Sequence, residues 1–437
     1  MRAALRRHLP AGLALAVLAG GAVLALPSRD RSADSQAERP TYYFGTLRTD
    51  PDKAHLEHRN GIDVAHMTIR WAQFEPEDGE YDEAYVHKIK DDLRALRDAG
   101  ARVEVGIGVN HAPEWVYEQY PDATFTDEHG DRYEDIANVV FSQEIRNEVR
   151  RYIQVLDEKV GLDKFWAVRV GTNDTGEFTY PPEVPDDDRP GPDYWAFDSN
   201  AQRESPPDER AATVPPNPYP GWRPGQREYR GKYFTREEAA RWYDWYLDAL
   251  ADAVNWQQRT YRSLGYDGLL KVLVPGQGYY PSDYAEAVDE YFAGPDVSEL
   301  LGLGAGFYRT IGKLRQDKDV QIVATSLVNG TGDPPANSCR PVADAAVDLD
   351  SVDDSRVRGW SSVRWVTAIA RREGFAVSGE SAGTHVHPYY NGVMDDAAAQ
   401  VRSCHLQGLM WAFDDNLYDG TPGSSLDDYA AMIRRLD

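Results

Sequence analysis

Short apolar segments and longer amphipathic segments alternate from residue 42 to the end of the chain. The apolar segments are rich in β-branched and aromatic side chains, which is typical of strands buried on both faces. The amphipathic segments carry apolar residues at helical spacing, and several end at a glycine, as helices commonly do. This alternation predicts a parallel β/α construction.

Eight strands are predicted, at 42–47, 64–71, 102–109, 165–170, 269–274, 320–327, 375–378 and 409–413. Helices are predicted at 53–59, 85–99, 142–160, 236–264, 361–372, 397–407 and 426–436, with further helical segments in 283–316. Because the alternation carries no glycine-rich dinucleotide fingerprint, it predicts a (β/α)8 barrel over residues 41–437. Active sites of such barrels lie at the C-terminal ends of the strands.

Two of the predicted strands lead directly to a glutamate among small residues. Strand four runs into a turn of small and polar residues, 171–176, and then Glu177. Strand seven is followed by Gly379 and Glu380. Both carboxylates are therefore expected at the same mouth of the barrel. Two such groups are the minimum machinery for glycoside hydrolysis, one as acid and the other as nucleophile or base.

An irregular segment, 178–234, interrupts the alternation after Glu177. It holds 12 of the 27 prolines together with several Tyr and Trp residues. Long loops of this kind in compact domains are usually functional or disordered. The segment is therefore either a wall or lid over the cleft or a decorative insertion.

The first residues have the composition of an export signal. Arg2, Arg6 and Arg7 precede an apolar run at 11–27, and a polar linker at 28–40 follows. The run predicts a secretory signal peptide at 1–27, with an uncleaved membrane anchor as the alternative. In both cases the barrel is expected outside the cytoplasm, secreted or anchored by its N-terminus.

The charge balance excludes some partners. The net charge is −25, from 47 basic and 72 acidic residues, which disfavours nucleic acids and anionic membrane surfaces. A carbohydrate substrate is expected, with no stable protein partner. The chain contains no CxxC, no HExxH and no histidine cluster with metal-ligand spacing, so no metal or other cofactor is predicted. Cys339 and Cys404 form a disulfide or remain as two buried thiols.

Two stretches in the first half of the chain resemble known enzymes. They are Arg70-Trp-Ala-Gln-Phe-Glu-Pro-Glu-Asp-Gly-Glu-Tyr-Asp82 and Ala112-Pro-Glu-Trp115. Both are similar to segments of retaining glycosidases in the large clan that includes glycoside hydrolase families 42 and 5, with β-galactosidases and cellulase-like enzymes among them. The resemblance implies that Glu177, after strand four, is the acid/base and that Glu380, after strand seven, is the nucleophile.

The strand-four motif departs from that clan in one respect. Clan members place an asparagine directly before the glutamate, whereas this chain has Gly176 there and Asn173 four residues before Glu177. Asp174 is therefore a rival for the acid. Thr175-Gly-Glu-Phe-Thr-Tyr-Pro181 and Gly379-Glu-Ser-Ala382 also resemble the acidic motifs of β-amylases, which are inverting barrels. The stereochemical outcome stays open.

Further residues at predicted strand ends are candidates for binding the sugar. They are Arg70, Asn110, Asn173, Tyr279 and Trp411. Arg70 either orients the nucleophile or belongs to a structural ion pair. The asparagines suit sugar hydroxyls or turn capping, and Trp411 suits stacking under a sugar or core packing. His385 and His387 follow strand seven at the rim.

The hypothesis from the sequence is an exported glycoside hydrolase with one barrel that uses Glu177 and Glu380. The alternatives are an inverting, β-amylase-like glycosidase and a catalytically inactive barrel that binds carbohydrate.

Overall fold

Eight parallel strands close into a barrel in which each strand pairs with its sequence neighbours and the first strand pairs with the last. The structure is a computed structural model that describes residues 42–182, 191–203, 214–329, 334–351 and 355–436. The predicted signal and linker, 1–40, lie outside the described residues. The strands are β1 Tyr43–Thr46, β2 Val64–Thr68, β3 Arg102–Gly106, β4 Ala167–Val170, β5 Leu269–Val274, β6 Val320–Ala324, β7 Ala376–Glu380 and β8 Gly408–Trp411. The predicted (β/α)8 fold is confirmed.

The helices between and after these strands cover the outer faces of the barrel. They are α1 Ala54–Arg59, α2 Trp71–Phe74, α3 Glu83–Asp98, α4 Glu114–Gln119, α5 Gln143–Lys159, α6 Arg236–Ser263, α7 Pro281–Asp289, α8 Phe307–Thr310, α9 Pro334–Asn337, α10 Pro341–Asp344, α11 Ser362–Arg372, α12 Val393–Ser403 and α13 Leu426–Leu436. Short 3-10 turns lie at Leu162–Lys164, Glu299–Leu301, Ile311–Lys313 and Asp414–Leu417.

Local signals in the sequence fix several helix starts. The Ser142 hydroxyl accepts a hydrogen bond from the backbone N–H of Ile145 and caps α5. Thr235 and Glu238 form a reciprocal capping box at the start of α6. Each cap satisfies backbone donors that have no partner inside the helix.

Most of the predicted strands are shorter in the structure, with strand three ending at Gly106 and strand six at Ala324, and three other boundaries also differ. Strand two ends at Thr68, because a short helix begins at Trp71. The Trp71 ring stacks on the ring of Tyr152. The helix expected at 397–407 runs over Val393–Ser403, starting after Gly392 in a left-handed conformation. Strand seven extends to Glu380, which is therefore its last residue.

Two features outside the barrel strands add to the sequence-based prediction. An antiparallel hairpin, Thr124–Thr126 with Arg132–Ala137, lies between α4 and α5 and was not predicted. Cys339 and Cys404 form a disulfide with their Cα atoms 4.8 Å apart, which decides between the two alternatives in favour of the bridge. None of the helices within the described ranges has both the length and the apolar character that crossing a membrane requires.

Candidate active site

Glu177 stands on a tight loop that follows β4. The loop folds back so closely that a Cβ on Gly171 would lie 1.9 Å from the Gly176 carbonyl oxygen, so only glycine fits at 171. Gly176 has φ +78°, a left-handed conformation that favours glycine. The Asn173 side chain accepts from the backbone N–H of Glu177 at 2.6 Å and donates to the Thr179 hydroxyl at 2.9 Å. This geometry accounts for glycine at position 176.

The carboxylate of Glu177 is half-buried and has two hydroxyl partners. Thr175 donates to Oε2 at 2.7 Å, and Thr325 donates to Oε1 at 2.7 Å. Thr325 directly follows β6, so the Glu177 side chain reaches from the end of β4 towards the end of β6. The carboxylate therefore lies in the C-terminal mouth of the barrel.

Glu380, at the end of β7, is 8% exposed. Its Oε2 accepts a hydrogen bond from Nη2 of Arg169 at 2.7 Å. Burial raises the pKa of Glu380, the positive charge of Arg169 opposes that rise, and the negative charges of Glu104 and Glu177 add to it. Glu177 and Glu380 therefore interact electrostatically within one mouth.

A layer of buried charges supports Arg169 from inside the barrel. The Arg169 Nε donates to Glu104 at 2.6 Å, and Glu104 also forms an ion pair with Lys271. Burial raises the pKa of Glu104, but the positive charges of Lys271 and Arg169 have the larger opposite effect, so this pKa is lowered to about 2. Burial and the nearby Arg169 lower the pKa of His66 to about 3, so this ring is neutral. The layer is a fixed set of charges beneath Glu380.

Asp174 and Asn110 lie beside the Glu177 loop. The His111 ring lies 2.8 Å from the Asp174 backbone carbonyl, and the Asp174 carboxylate is among the charges that raise the pKa of Tyr133. Asn110 is 5% exposed and donates to the Asn173 carbonyl at 2.7 Å, while its Oδ1 has no partner within the described ranges. The Asn110 Oδ1 is therefore a buried acceptor next to the Glu177 loop, whereas the Asn173 amide is used inside the loop.

The expectations for Trp411 and Tyr279 need correction, because both rings are fully buried. Trp411 packs between Tyr389 and Tyr429 and donates from Nε1 to Ser424 at 3.0 Å. Tyr279 packs under a glycine-rich turn, beside Tyr308. Neither ring offers a face to a substrate in this structure; Trp411 is a packed core residue.

Arg70 does not take the position expected beside the nucleophile. It is exposed just before α2, and its side chain forms no ion pair with any residue that the structure describes. The arginine that contacts Glu380 is Arg169 on β4. The sequence held a signal for it, since Arg169 is the one charged residue in the strand Ala-Val-Arg-Val. An isolated charge in a buried strand requires a partner.

The aromatic part of the insertion after Glu177 packs against α6. Tyr180 stacks on Tyr246 with ring centroids 3.9 Å apart, and Tyr194 packs edge-on against Trp242. Trp222 is also fully buried. In its described parts the insertion is a packed layer on α6.

No group of three His, Cys, Asp or Glu side chains suited to a metal ion occurs within the described ranges. The site rests on the two glutamates and the polar groups around them.

Comparisons with known proteins bear on this site. A family model described as beta-galactosidase (Glyco_hydro_42) matches residues 46–166. No curated protein matches the chain. Among solved structures, the catalytic domain of the beta-amylase from Paenibacillus polymyxa is similar, with a TM-score of 0.59 and 14% identity over 91% of this chain and 99% of that one.

Two beta-galactosidase structures are also similar. The enzyme from Bacillus circulans sp. alkalophilus has a TM-score of 0.54 and 12% identity, with 92% of this chain and 56% of that one covered. The enzyme from the psychrophilic Marinomonas ef1 has a TM-score of 0.52 and 11% identity, with 90% and 59% covered. This chain therefore spans little more than half the length of either beta-galactosidase.

At these identities the solved structures establish the fold alone. The sequence similarity to glycoside hydrolases comes from the family model. Together they support glycosidase activity. The chain is thus a (β/α)8 barrel of the glycoside hydrolase type, with its family 42 signal in residues 46–166.

Proposed function

We propose that the chain is an exported glycoside hydrolase that cleaves O-glycosidic bonds of an oligo- or polysaccharide by a retaining, two-carboxylate mechanism. The observation that carries the proposal is the pairing of Glu177 and Glu380 in one mouth, where the charge of Glu177 raises the pKa of Glu380. Two carboxyl groups flanking a glycosidic bond supply the acid and the nucleophile of this reaction.

In this mechanism Glu380 attacks the anomeric carbon while Glu177 protonates the leaving oxygen. Glu177 then accepts a proton from water as the water releases the sugar from Glu380. The bond from Arg169 favours the ionised form of Glu380 that attack requires. The hydroxyls of Thr175 and Thr325 fix the orientation of Glu177.

An inverting mechanism is the second candidate. The motif at 175–181 resembles that of β-amylases, and the beta-amylase domain matches this chain over almost its whole length. In that case Glu380 activates a water instead of attacking the sugar. Inverting enzymes hold the carboxyl groups about 6.5–9.5 Å apart, and retaining ones about 5–5.5 Å apart.

Export is supported by the Cys339–Cys404 disulfide, since such bridges persist in oxidising compartments. Edman sequencing of the protein recovered from the producing cells tests this part. A new N-terminus after the apolar run at 11–27 is expected for a cleaved signal, and an intact N-terminus in the membrane fraction for an anchor.

The activity is tested with a panel of 4-nitrophenyl glycosides and natural oligosaccharides on the wild-type chain and on the Glu177→Gln, Glu380→Gln and Asp174→Asn variants. We expect the two glutamine variants to lose about 100- to 10,000-fold in kcat with unchanged melting curves. Asp174→Asn should stay near the wild-type rate. A silent wild-type protein across the whole panel would instead support an inactive carbohydrate-binding barrel.

A further inference from the structure

Arg48, Phe413 and His385 form a cluster on the side of the barrel where β7, β8 and β1 meet, and His385 lies in the segment that follows Glu380. Backbone bonds connect these strand ends: Leu47 donates to the Trp411 carbonyl at 2.9 Å, and Asp414 donates to the Leu47 carbonyl at 2.9 Å. The Ser381 hydroxyl accepts from the Ala412 N–H at 2.8 Å. The residues that follow β1 and β8 are thus connected to each other and to Ser381, which directly follows Glu380.

Arg48 is the centre of the cluster. Its guanidinium carbon lies 4.3 Å from the centroid of the Phe413 ring. Arg48 has φ +56°, a conformation that costs a non-glycine residue about 1 kcal/mol or more. The side chain is exposed and forms no ion pair with any residue that the structure describes. The fold thus holds a solvated cation in a strained position at the mouth.

His385 belongs to the same cluster. Its ring stacks near-parallel with that of Phe413, with the centroids 5.9 Å apart. Gly383 has φ +78°, and a Cβ there would lie 2.9 Å from the His385 ring and 3.3 Å from the Phe413 ring. The turn after Glu380 is therefore packed tightly against His385 and Phe413, which leaves His385 exposed at the rim.

Binding of a neutral sugar does not require a charged guanidinium such as that of Arg48. Hydroxyl groups are recognised by amides, carboxylates and backbone groups. A free guanidinium instead matches a planar or tetrahedral oxyanion through two parallel hydrogen bonds. In a chain of net charge −25, a solvated arginine beside the site attracts anions where most of the protein repels them.

Resting on the proposed glycosidase function, we propose that the sugar unit bound beside Glu380 carries an anionic group, a carboxylate or a sulfate ester, and that Arg48 binds it with His385 at its side. The substrate class is then an acidic oligo- or polysaccharide. Uronic acid units and sulfated units share this chemistry, and the probes below distinguish them.

The test compares matched neutral and acidic sugars on the full chain. NMR titration measures sugar binding by the wild type, Arg48→Gln and Arg59→Gln. The sugars are methyl β-galactoside, its 6-sulfate and methyl β-galacturonoside, together with the corresponding gluco-configured set. Arg59 is the matched control, because it is exposed at the end of α1 that leads into the opposite face of the barrel. The 4-nitrophenyl glycosides of the same sugars report kcat/KM.

We expect at least one acidic class to bind tenfold or more tightly than its neutral counterpart in the wild type and in Arg59→Gln. In Arg48→Gln the ratio of acidic to neutral affinity, and of acidic to neutral kcat/KM, should fall by tenfold or more. The galacturonoside or glucuronoside arm identifies a carboxylate, and the 6-sulfate arm identifies a sulfate.

Equal binding of acidic and neutral sugars by the wild type, or a preference that survives in Arg48→Gln, would overturn the inference. If the acidic preference is present and depends on Arg48 but no glycoside is cleaved, the anion site stands and the proposed hydrolase activity fails.

Discussion

Arg169 holds Glu380 and Glu104 with one guanidinium group. Nη2 donates to Glu380 at 2.7 Å, and Nε donates to Glu104 at 2.6 Å. If the arginine turned away, Glu104 would keep the buried Lys271, but Glu380 would lose the ion pair that the structure gives it. The candidate nucleophile is therefore oriented by a network that lies below the site.

Replacing Arg169 tests that network. In Arg169→Gln the positive charge that opposes the raised pKa of Glu380 is lost, so this pKa should rise further. Since Glu380 must be ionised to act, the acidic limb of the kcat/KM profile should move to higher pH by about one unit or more. Arg169→Lys keeps the charge and should shift the limb less. An acidic limb that stays in place in Arg169→Gln would contradict the assigned role.

Replacing Thr325 tests how Glu177 is oriented. Thr325→Val removes the hydroxyl that donates to Oε1 of Glu177 at 2.7 Å, and kcat should fall by about 10- to 100-fold while the melting temperature changes little. Thr367→Val is the matched control, because Thr367 is buried in α11 and its hydroxyl has no partner within the described ranges. Equal kcat values in the two variants would show that Thr325 does not orient Glu177 for catalysis.

A second buried carboxyl should give the stability a pH dependence. Glu57 is 2% exposed and accepts from the Tyr418 hydroxyl at 2.9 Å. Burial and the neighbouring Asp414 raise the pKa of Glu57. The folded state then binds a proton that the unfolded state releases above a pH of about 4.3, so stability falls as the pH rises towards the raised pKa.

Glu57→Gln should abolish that loss, because glutamine cannot ionise. The free energy of unfolding, measured in urea between pH 5 and 8, should decline less steeply in Glu57→Gln than in the wild type. The exposed Glu158→Gln serves as the control and should follow the wild type. Parallel curves for all three proteins would show that Glu57 is ionised in the folded state.

The disulfide should stabilise the C-terminal half of the barrel. Cys339 and Cys404 are 65 residues apart, and closing a loop of that length removes about 4 kcal/mol of unfolded-state entropy in the chain-entropy model. The Cys339→Ala/Cys404→Ala variant should unfold at a lower temperature by calorimetry, while kcat at 25 °C stays close to the wild type. An unchanged melting temperature would show that native packing alone holds this region.

The barrel and its two glutamates follow from local patterns. Apolar segments followed by glycine-rich turns mark the ends of β4 and β7, so Glu177 and Glu380 are placed correctly by sequence alone. The predicted starts of the helices at 142 and 236 agree with the structure, where Ser142 and Thr235 cap α5 and α6 through local hydrogen bonds.

The rest of the site depends on which direction a side chain takes at a strand end, and local pattern does not fix that direction. Trp411 turns into the core, where Ser424 accepts its indole N–H. Arg169 turns into the barrel because Glu104 and Glu380, distant in sequence, meet it there. The isolated charges of Glu104 and Lys271 in apolar strands were the available signal for this layer.

The central claim is most directly tested by proton NMR of the sugar released by the full chain, recorded within the first minutes, before mutarotation mixes the anomers. The substrate is the 4-nitrophenyl glycoside that the panel identifies, with Glu380→Gln alongside. The account predicts a first product with the anomeric configuration of the substrate and no product from the variant. A first product of inverted configuration would make Glu380 a base that activates water, and full activity in Glu380→Gln would contradict the assignment.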